Sequence, residues 1–324
     1  MQSIYKYQEL ISNYLNEQIL VKEPKNLYEP ISYVLSDGGK RMRPTLTLMT
    51  AEIFDADYTK ALPAALAVEV FHNFSLVHDD IMDDAPLRRG KETVHEKWNI
   101  NTGILSGDAM LILAYRYFEQ YEPKVFRDLA KVFSKTALEV CEGQQWDVDF
   151  ENREDVTIPE YLKMIEYKTA VLVAAAMKMG AIIAETSEEN CNLIYDFGLN
   201  LGIAFQLQDD YLDAFGDPLT FGKQVGGDII ENKKTYLYLK AFEFADKTQA
   251  EQLAHLFSIQ PNDNSEKINM VKEIFDNTGA SEATQQAIHD YTFKAFETLQ
   301  KISIDNEKKA ILRSFGENLM GRKV

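Results

Sequence analysis

Asp79-Asp80-Ile81-Met82-Asp83 and Asp209-Asp210-Tyr211-Leu212-Asp213 share one spacing, and each lies inside a strongly apolar helical pattern. An α-helix advances about 100° per residue, so aspartates at i, i+1 and i+4 occupy roughly one third of its circumference. Val68 to Val77 leads into the first copy and Leu201 to Leu207 into the second, so these carboxylates continue helices that belong to a core. An acidic run on a helix is ordinarily a solvated face. Here three like charges extend a buried helix, where they raise one another's pKa and repel unless a cation lies between them. Oxygen ligands of this kind suit a hard divalent ion such as Mg²⁺, which commonly shares its coordination with substrate phosphates. Two such faces opposite each other would hold metals over one anionic substrate.

The rest of the chain must supply a scaffold for two core helices, and its periodicity is helical almost throughout. Pro44 suits the first turn of a helix running to about Phe54. Further helices are expected over Leu62 to Asp84, Ile104 to Tyr121 and Val125 to Gln145. Thr157-Ile158-Pro159-Glu160 has capping-box spacing and opens a helix to about Ala184, and Thr186 to Glu189 repeats that spacing before the second aspartate helix. Helices are also expected after Lys234, Ser265 and Ser281, with a last one near Asp305 to Met320. The acidic connections Asp147–Asp155 and Pro261–Lys267 read as solvated loops. No linker with a change of composition interrupts the chain, so the expectation is one all-α domain over residues 1–324.

A formal charge of −17 argues against nucleic acid as a partner, since phosphate backbones need a basic surface. Cys141 and Cys191 lack metal-ligand spacing. The first residues lack a signal-peptide core, and the longest apolar stretch, Ala170 to Ala184, is interrupted by Lys178 and short for a bilayer span. The expected location is therefore cytoplasmic, without integral membrane association.

An acidic protein that binds an anion needs placed cations, and each aspartate set is followed by a loop that has them. Arg88-Arg89-Gly90 follows the first; Gly222-Lys223, Gly226-Gly227-Asp228 and Lys233-Lys234-Thr235 follow the second. Arginines present forked donors that match phosphate oxygens. Gly38-Gly39-Lys40-Arg41-Met42-Arg43-Pro44 adds Lys40 and Arg43 at a helix start, where backbone N–H groups also bind anions. Each loop alone is a weak signal. Two acidic faces with three basic loops describe a site for two diphosphates, one held through metal and one directly.

These segments, together with His78 before the first aspartates, Tyr167-Lys168-Thr169 and Phe205-Gln206-Leu207-Gln208 before the second, resemble the trans-prenyl diphosphate synthases, which include the farnesyl and geranylgeranyl diphosphate synthases. The likeness runs in order from about residue 36 to residue 236. It implies an all-α bundle of the isoprenoid-synthase type around a deep central cavity, usually a homodimer, with the aspartate helices facing each other across its mouth. It also implies condensation of isopentenyl diphosphate with an allylic C5–C15 diphosphate. Asp79, Asp80, Asp83, Asp209, Asp210 and Asp213 would bind Mg²⁺, three ions in all, for which Mn²⁺ can substitute. Arg88, Lys168, Lys223 and Lys233 would assist the allylic diphosphate. Lys40, Arg43, His72 and Arg89 would hold isopentenyl diphosphate. Thr169 and Gln206, with Lys168, would act at the reacting carbons.

Product length should depend on what lies below the first aspartates. Ser75 and Phe74 sit about one helical turn deeper than Asp79, and Phe71 one turn below that. A floor of Phe71, Phe74 and small Ser75 implies a short product, geranylgeranyl diphosphate being favoured and farnesyl diphosphate the alternative. A class I terpene cyclase would carry an Asn/Ser/Glu second metal set, and non-catalytic regulatory relatives tend to lose aspartates; this chain has both sets. A Ca²⁺ buffer would place its carboxylates in irregular loops.

Overall fold

The computed structural model describes residues 2–18, 21–217 and 225–321. In chain order its helices are α1 (Gln2–Gln18), α2 (Lys25–Ser36), α3 (Met42–Ile53), α4 (Leu62–Met82), the single turn α5 (Val94–Lys97), α6 (Ile100–Tyr117), α7 (Pro123–Glu151), α8 (Ile158–Ile165) and α9 (Val171–Ile183). Then follow α10 (Glu188–Phe215), the short α11 (Gly227–Ile230), α12 (Tyr236–Phe244), α13 (Lys247–Leu256), α14 (Ser265–Thr278), α15 (Ala280–Lys301) and α16 (Asn306–Met320). Among the described residues the only strands are β1 (Leu87–Arg88) and β2 (Lys91–Glu92), an antiparallel ribbon. The all-α expectation holds. No helix among the described residues is long and apolar enough to cross a membrane.

The chain forms two compact units, Met1–Ser134 with Ala175–Cys191, and Lys135–Ala174 with Asn192–Val324. In the first, α4 is apolar nearly all round because it is buried nearly all round, from Leu62 to Val77. Its core is aromatic. Phe133 takes the edges of Phe71 at 5.1 Å and Phe118 at 5.2 Å. In the second unit Leu212, Leu237, Leu253, Val271 and Phe275 form one cluster, and Ile165, Ile203, Leu207 and Tyr236 another.

Local chemistry accounts for several helix starts. Asn99 accepts from the Thr102 N–H, so α6 starts four residues before the expected Ile104. The capping box of Thr157 and Glu160 is present at the start of α8. Ser187, rather than Thr186, caps α10 by accepting from the Asn190 N–H. Asp246 and Gln249 form a capping box that starts α13, a helix the periodicity did not separate from α12. The expected solvated loop at Asp147–Asp155 is corrected: α7 continues to Glu151, and Lys234 Nζ donates to the Phe150 and Glu151 carbonyls at its end, at 3.1 and 3.2 Å. Nor is Lys267 solvated; it is buried and bonds Asn232 Oδ1 at 2.6 Å. The helix expected from Thr157 to Ala184 widens into a π-helical turn over Glu166–Ala170, between α8 and α9.

Candidate active site

In the second unit that π turn carries Lys168 and Thr169. Two glycines allow neighbouring helices to approach it. A Cβ on Gly143 of α7 would stand 2.3 Å from the Lys168 nitrogen, and one on Gly202 of α10 would stand 2.8 Å from the Ala170 Cα. Extra residues in a helix of this kind concentrate at functional sites. Here the turn closes one side of a cavity of about 220 Å³ that Asp209, Asp210 and Asp213 of α10 also line.

The second aspartate set is tightly held. Asp210 is buried; it accepts from the Tyr161 hydroxyl and, at 2.9 Å, from Gln206 Nε2. Gln206 Oε1 in turn accepts from the Thr169 hydroxyl at 3.0 Å. Asp213 Oδ2 accepts from the Asp228 N–H at 2.9 Å. That contact depends on Gly226, whose φ of +84° turns the chain back towards α10. Lys168 Nζ pairs with Asp147 Oδ2 at 2.5 Å, and Lys233 Nζ with Glu231 Oε2 at 2.8 Å.

Carboxylates so crowded cannot all ionise easily. Burial first, and then the charges of Asp209 and Asp213, push Asp210 up to about 7 against the hydrogen bonds of Tyr161 and Gln206. Burial, with Asp210 and Asp213, holds Asp228 well above the usual carboxylate range. Burial alone would pull Lys233 down, but Glu231, Asp228 and Asp147 more than reverse that and hold it above the usual lysine value. The donors are all oxygens, they are partly desolvated, and they repel one another. Such a set fits a hard divalent cation.

In the first unit, α4 delivers Asp79 and Asp80 from its last turn, and Asp83 sits at its C-cap. Asp80 is 4% exposed and pairs with Arg88 Nε at 2.7 Å; Asp79 Oδ2 lies 3.9 Å from Arg88 Nη2. Burial raises the Asp80 carboxyl, and Arg88 opposes it. The β1–β2 ribbon presents Arg88 because Arg89 and Gly90 both take left-handed backbone, at φ 53° and 79°. Arg88, expected beside the allylic diphosphate, thus also clamps the first aspartates.

The second basic group is assembled in the same unit. Arg43 Nη1 lies 3.2 Å from His72 Nε2, and Arg89 Nη1 donates to the Gly38 carbonyl at 3.4 Å. Burial first, then Arg43 and Arg89, hold His72 well below its ordinary value, so it stays neutral among cations. Lys40 is exposed, and its carbonyl accepts from Gln8 Nε2 at 2.6 Å. Arg41 pins the loop from beneath. It is buried, pairs with Glu69 of α4, and donates to the Leu35 carbonyl at 2.6 Å.

Below Asp79, Phe74 meets His78 edge-on at 4.8 Å and Phe71 at a tilt at 5.5 Å. Ser75 donates to the His72 carbonyl at 2.8 Å. Lys223 lies outside the described residues. Tyr161, Asp147 and Glu69 were given no role from sequence, and Asp228 and Arg41 stood there only as parts of the loop motifs. Glu69 had left a trace, as a lone charge inside an apolar run, and Gly143-x-x-x-Asp147 is one helical turn. Tyr161 left none.

The polyprenyl synthetase family model matches residues 24–275. A geranylgeranyl diphosphate synthase of Methanosarcina mazei is 42% identical over 71% of each chain. A geranylfarnesyl diphosphate synthase of Natronomonas pharaonis is 36% identical over 99% of this chain and 97% of its own. A crystal structure of a geranylgeranyl pyrophosphate synthase superposes with a TM-score of 0.94 at 56% identity, covering 99% of each chain. Matched by this family model over most of its length and by these relatives in sequence and fold, the chain belongs to the polyprenyl synthetase family and is a prenyltransferase.

Proposed function

We propose that this protein condenses isopentenyl diphosphate head-to-tail (1'-4) with an allylic prenyl diphosphate and releases a short all-trans product, geranylgeranyl diphosphate in preference to farnesyl diphosphate. The observation that carries the reading is the carboxylate face of α10, held by Tyr161, Gln206 and the Asp228 N–H in a cavity that also contains Lys168 and Thr169. Members of the family use divalent metal ions, and the residues fit them. Asp79, Asp80 and Asp83 of the first unit and Asp209, Asp210 and Asp213 of the second are the proposed ligands, for three Mg²⁺ ions with Mn²⁺ able to substitute. When bound, the metal neutralises charge that builds on a departing diphosphate.

The chain's own groups do the rest. Lys168 and Lys233, with Arg88 and Lys223, contact the allylic diphosphate and stabilise it as it leaves. Lys40, Arg43, Arg89 and neutral His72 hold isopentenyl diphosphate; Arg43 contributes a fixed charge and His72 a polar ring that does not add another. The Thr169 hydroxyl donates its proton to Gln206, which leaves its oxygen lone pairs to face a developing allylic cation. The isopentenyl double bond then attacks, and the proton is lost to the departed diphosphate, so no enzyme nucleophile is consumed.

We also propose one catalytic domain over residues 1–324, supported by a single family model that draws on both units. A homodimer is supported by Ile104, Leu105 and Ile112, exposed apolar side chains on α6. A cytoplasmic location is supported by Cys141 and Cys191, both thiols.

The test is turnover with isopentenyl diphosphate and separate C5, C10 and C15 allylic diphosphates. Activity is expected to vanish with a chelator and return with Mg²⁺. Asp209→Ala is expected to lower kcat by about 10²-fold or more, and Lys40→Ala to raise the KM for isopentenyl diphosphate chiefly. Full turnover in metal-free buffer overturns the mechanism; a Lys40→Ala defect confined to the allylic substrate reverses the two binding sites.

A further inference from the structure

The segment after the first aspartates folds back on itself. Asp84 leaves α4 in left-handed backbone, at φ 48°, and the Ala85 N–H donates to the Asp80 carbonyl at 3.0 Å. After the β1–β2 ribbon, Thr93 returns: its N–H reaches the Pro86 carbonyl at 3.2 Å and its hydroxyl the Ala85 carbonyl at 2.8 Å. This closure delivers His95 and Glu96, on the single turn α5, beside Asp84.

His95 is the anomaly there. Its side chain is 4% exposed, and neither ring nitrogen has a hydrogen-bond partner. Its Nε2 lies 3.8 Å from Glu96 Oε1, beyond hydrogen-bond range. A buried imidazole with two unmet nitrogens is costly, and native structures rarely keep one without a ligand to meet it. One ligand atom from each of Asp84, His95 and Glu96 lies within 4.8 Å of the other two.

We propose that Asp84, His95 and Glu96 form a binding site for a borderline divalent cation of the Zn²⁺ class, with a donor set of its own. It adjoins the first aspartates: Asp84 follows Asp83, and the His95 imidazole lies near enough to Asp80 to favour its charged form. A Zn²⁺ ion takes nitrogen and carboxylate oxygen at about 2.0–2.2 Å in a tetrahedron, which places its ligand atoms roughly 3.4 Å apart. Asp84 and Glu96 are exposed, so their carboxylates reach that spacing by side-chain rotation about a buried, fixed imidazole. The donor set also separates this site from a Mg²⁺ site. Imidazole suits Zn²⁺ and its neighbours in the transition series, whereas Mg²⁺ takes oxygen. The ion ties residue 84 to residues 95 and 96, and so braces the ribbon that carries Arg88 and Arg89. The site rests on this geometry alone and does not depend on the proposed reaction.

The experiment uses the full chain, loaded with Zn²⁺ alone and then dialysed against excess Mg²⁺, with bound zinc measured by elemental analysis. One zinc per chain is expected to remain. It is expected to be lost in Asp84→Asn and Glu96→Gln, whose exposed side chains leave the fold intact by circular dichroism, as well as in His95→Ala. It is expected to persist in Asp79→Ala. Co²⁺ in place of Zn²⁺ should give visible ligand-field bands that Glu96→Gln abolishes. No zinc retained in excess Mg²⁺, zinc undiminished in the Asp84→Asn and Glu96→Gln variants, or zinc lost in Asp79→Ala each overturns the proposal.

Discussion

Asp210 shows how one residue's surroundings set its chemistry. Tyr161, Gln206 and burial surround a carboxyl that, pushed up to about 7, still carries a proton where an ordinary aspartate has lost it. A metal ion taking that oxygen must displace the proton. Because the folded-state pKa is raised, the competing proton is mostly bound below about 7 and is lost progressively as pH rises through it. Metal affinity is therefore expected to fall on acidification through that range, and metal binding near neutrality to release a proton. Calorimetry in two buffers of different ionisation enthalpy measures the release. Asp210→Asn is expected to remove most of it, and Asp209→Asn to reduce it, because the Asp209 charge helps raise Asp210; equal release from wild type and Asp210→Asn would assign the proton elsewhere. Lys168 differs in that its ammonium is ion-paired with Asp147 beside the cavity.

At the scale of elements, α4 combines two tasks along one face, with carboxylates in its last turn and aromatic rings beneath. Phe74 is the upper phenyl ring, edge-on to His78 and tilted against Phe71, while Phe71 is packed against Phe133. If Phe74 ends the product channel, Phe74→Ala opens about one helical turn, close to the length of one isoprene unit, and the product should lengthen by roughly one addition. Ser75→Phe should raise the floor and shorten the product towards C15. Chromatography of the dephosphorylated products measures both. An unchanged distribution in the two variants would move the floor to another helix. Truncation of a buried Phe costs about 3–5 kcal/mol, so thermal stability of Phe74→Ala should fall even where turnover survives. The π turn at Glu166–Ala170 is the second element of note, since it sets Lys168 and Thr169 against close-packed α7 and α10.

For the whole molecule, Ile104, Leu105 and Ile112 of α6 fall within about 100° of one another around the helix, apolar side chains with 41%, 59% and 60% exposure on a face they share with exposed Asn101 and Asp108. Exposed apolar clusters of this kind mark interfaces, and a closed two-fold pairing buries the same patch from both copies. Leu105→Glu with Ile112→Glu is expected to shift sedimentation from dimer to monomer; a wild-type monomer at micromolar concentration would refute the pairing. Much of this protein was legible in its sequence because the relevant signals are local. Helical periodicity, capping boxes and the i, i+1, i+4 aspartates all act within a turn or two of chain, so the all-α class and both carboxylate faces could be read directly. What only the tertiary structure decided depends on residues far apart in sequence. Asp147 read as part of a solvated loop until its helix ran on to Glu151 and met Lys168, 21 residues away. Tyr161 reaches Asp210 across 49 residues, and Arg41 reaches Glu69 across 28. A polar side chain carries no local sign of whether a distant partner will bury it, because desolvation and hydrogen bonding are settled only when the helices pack.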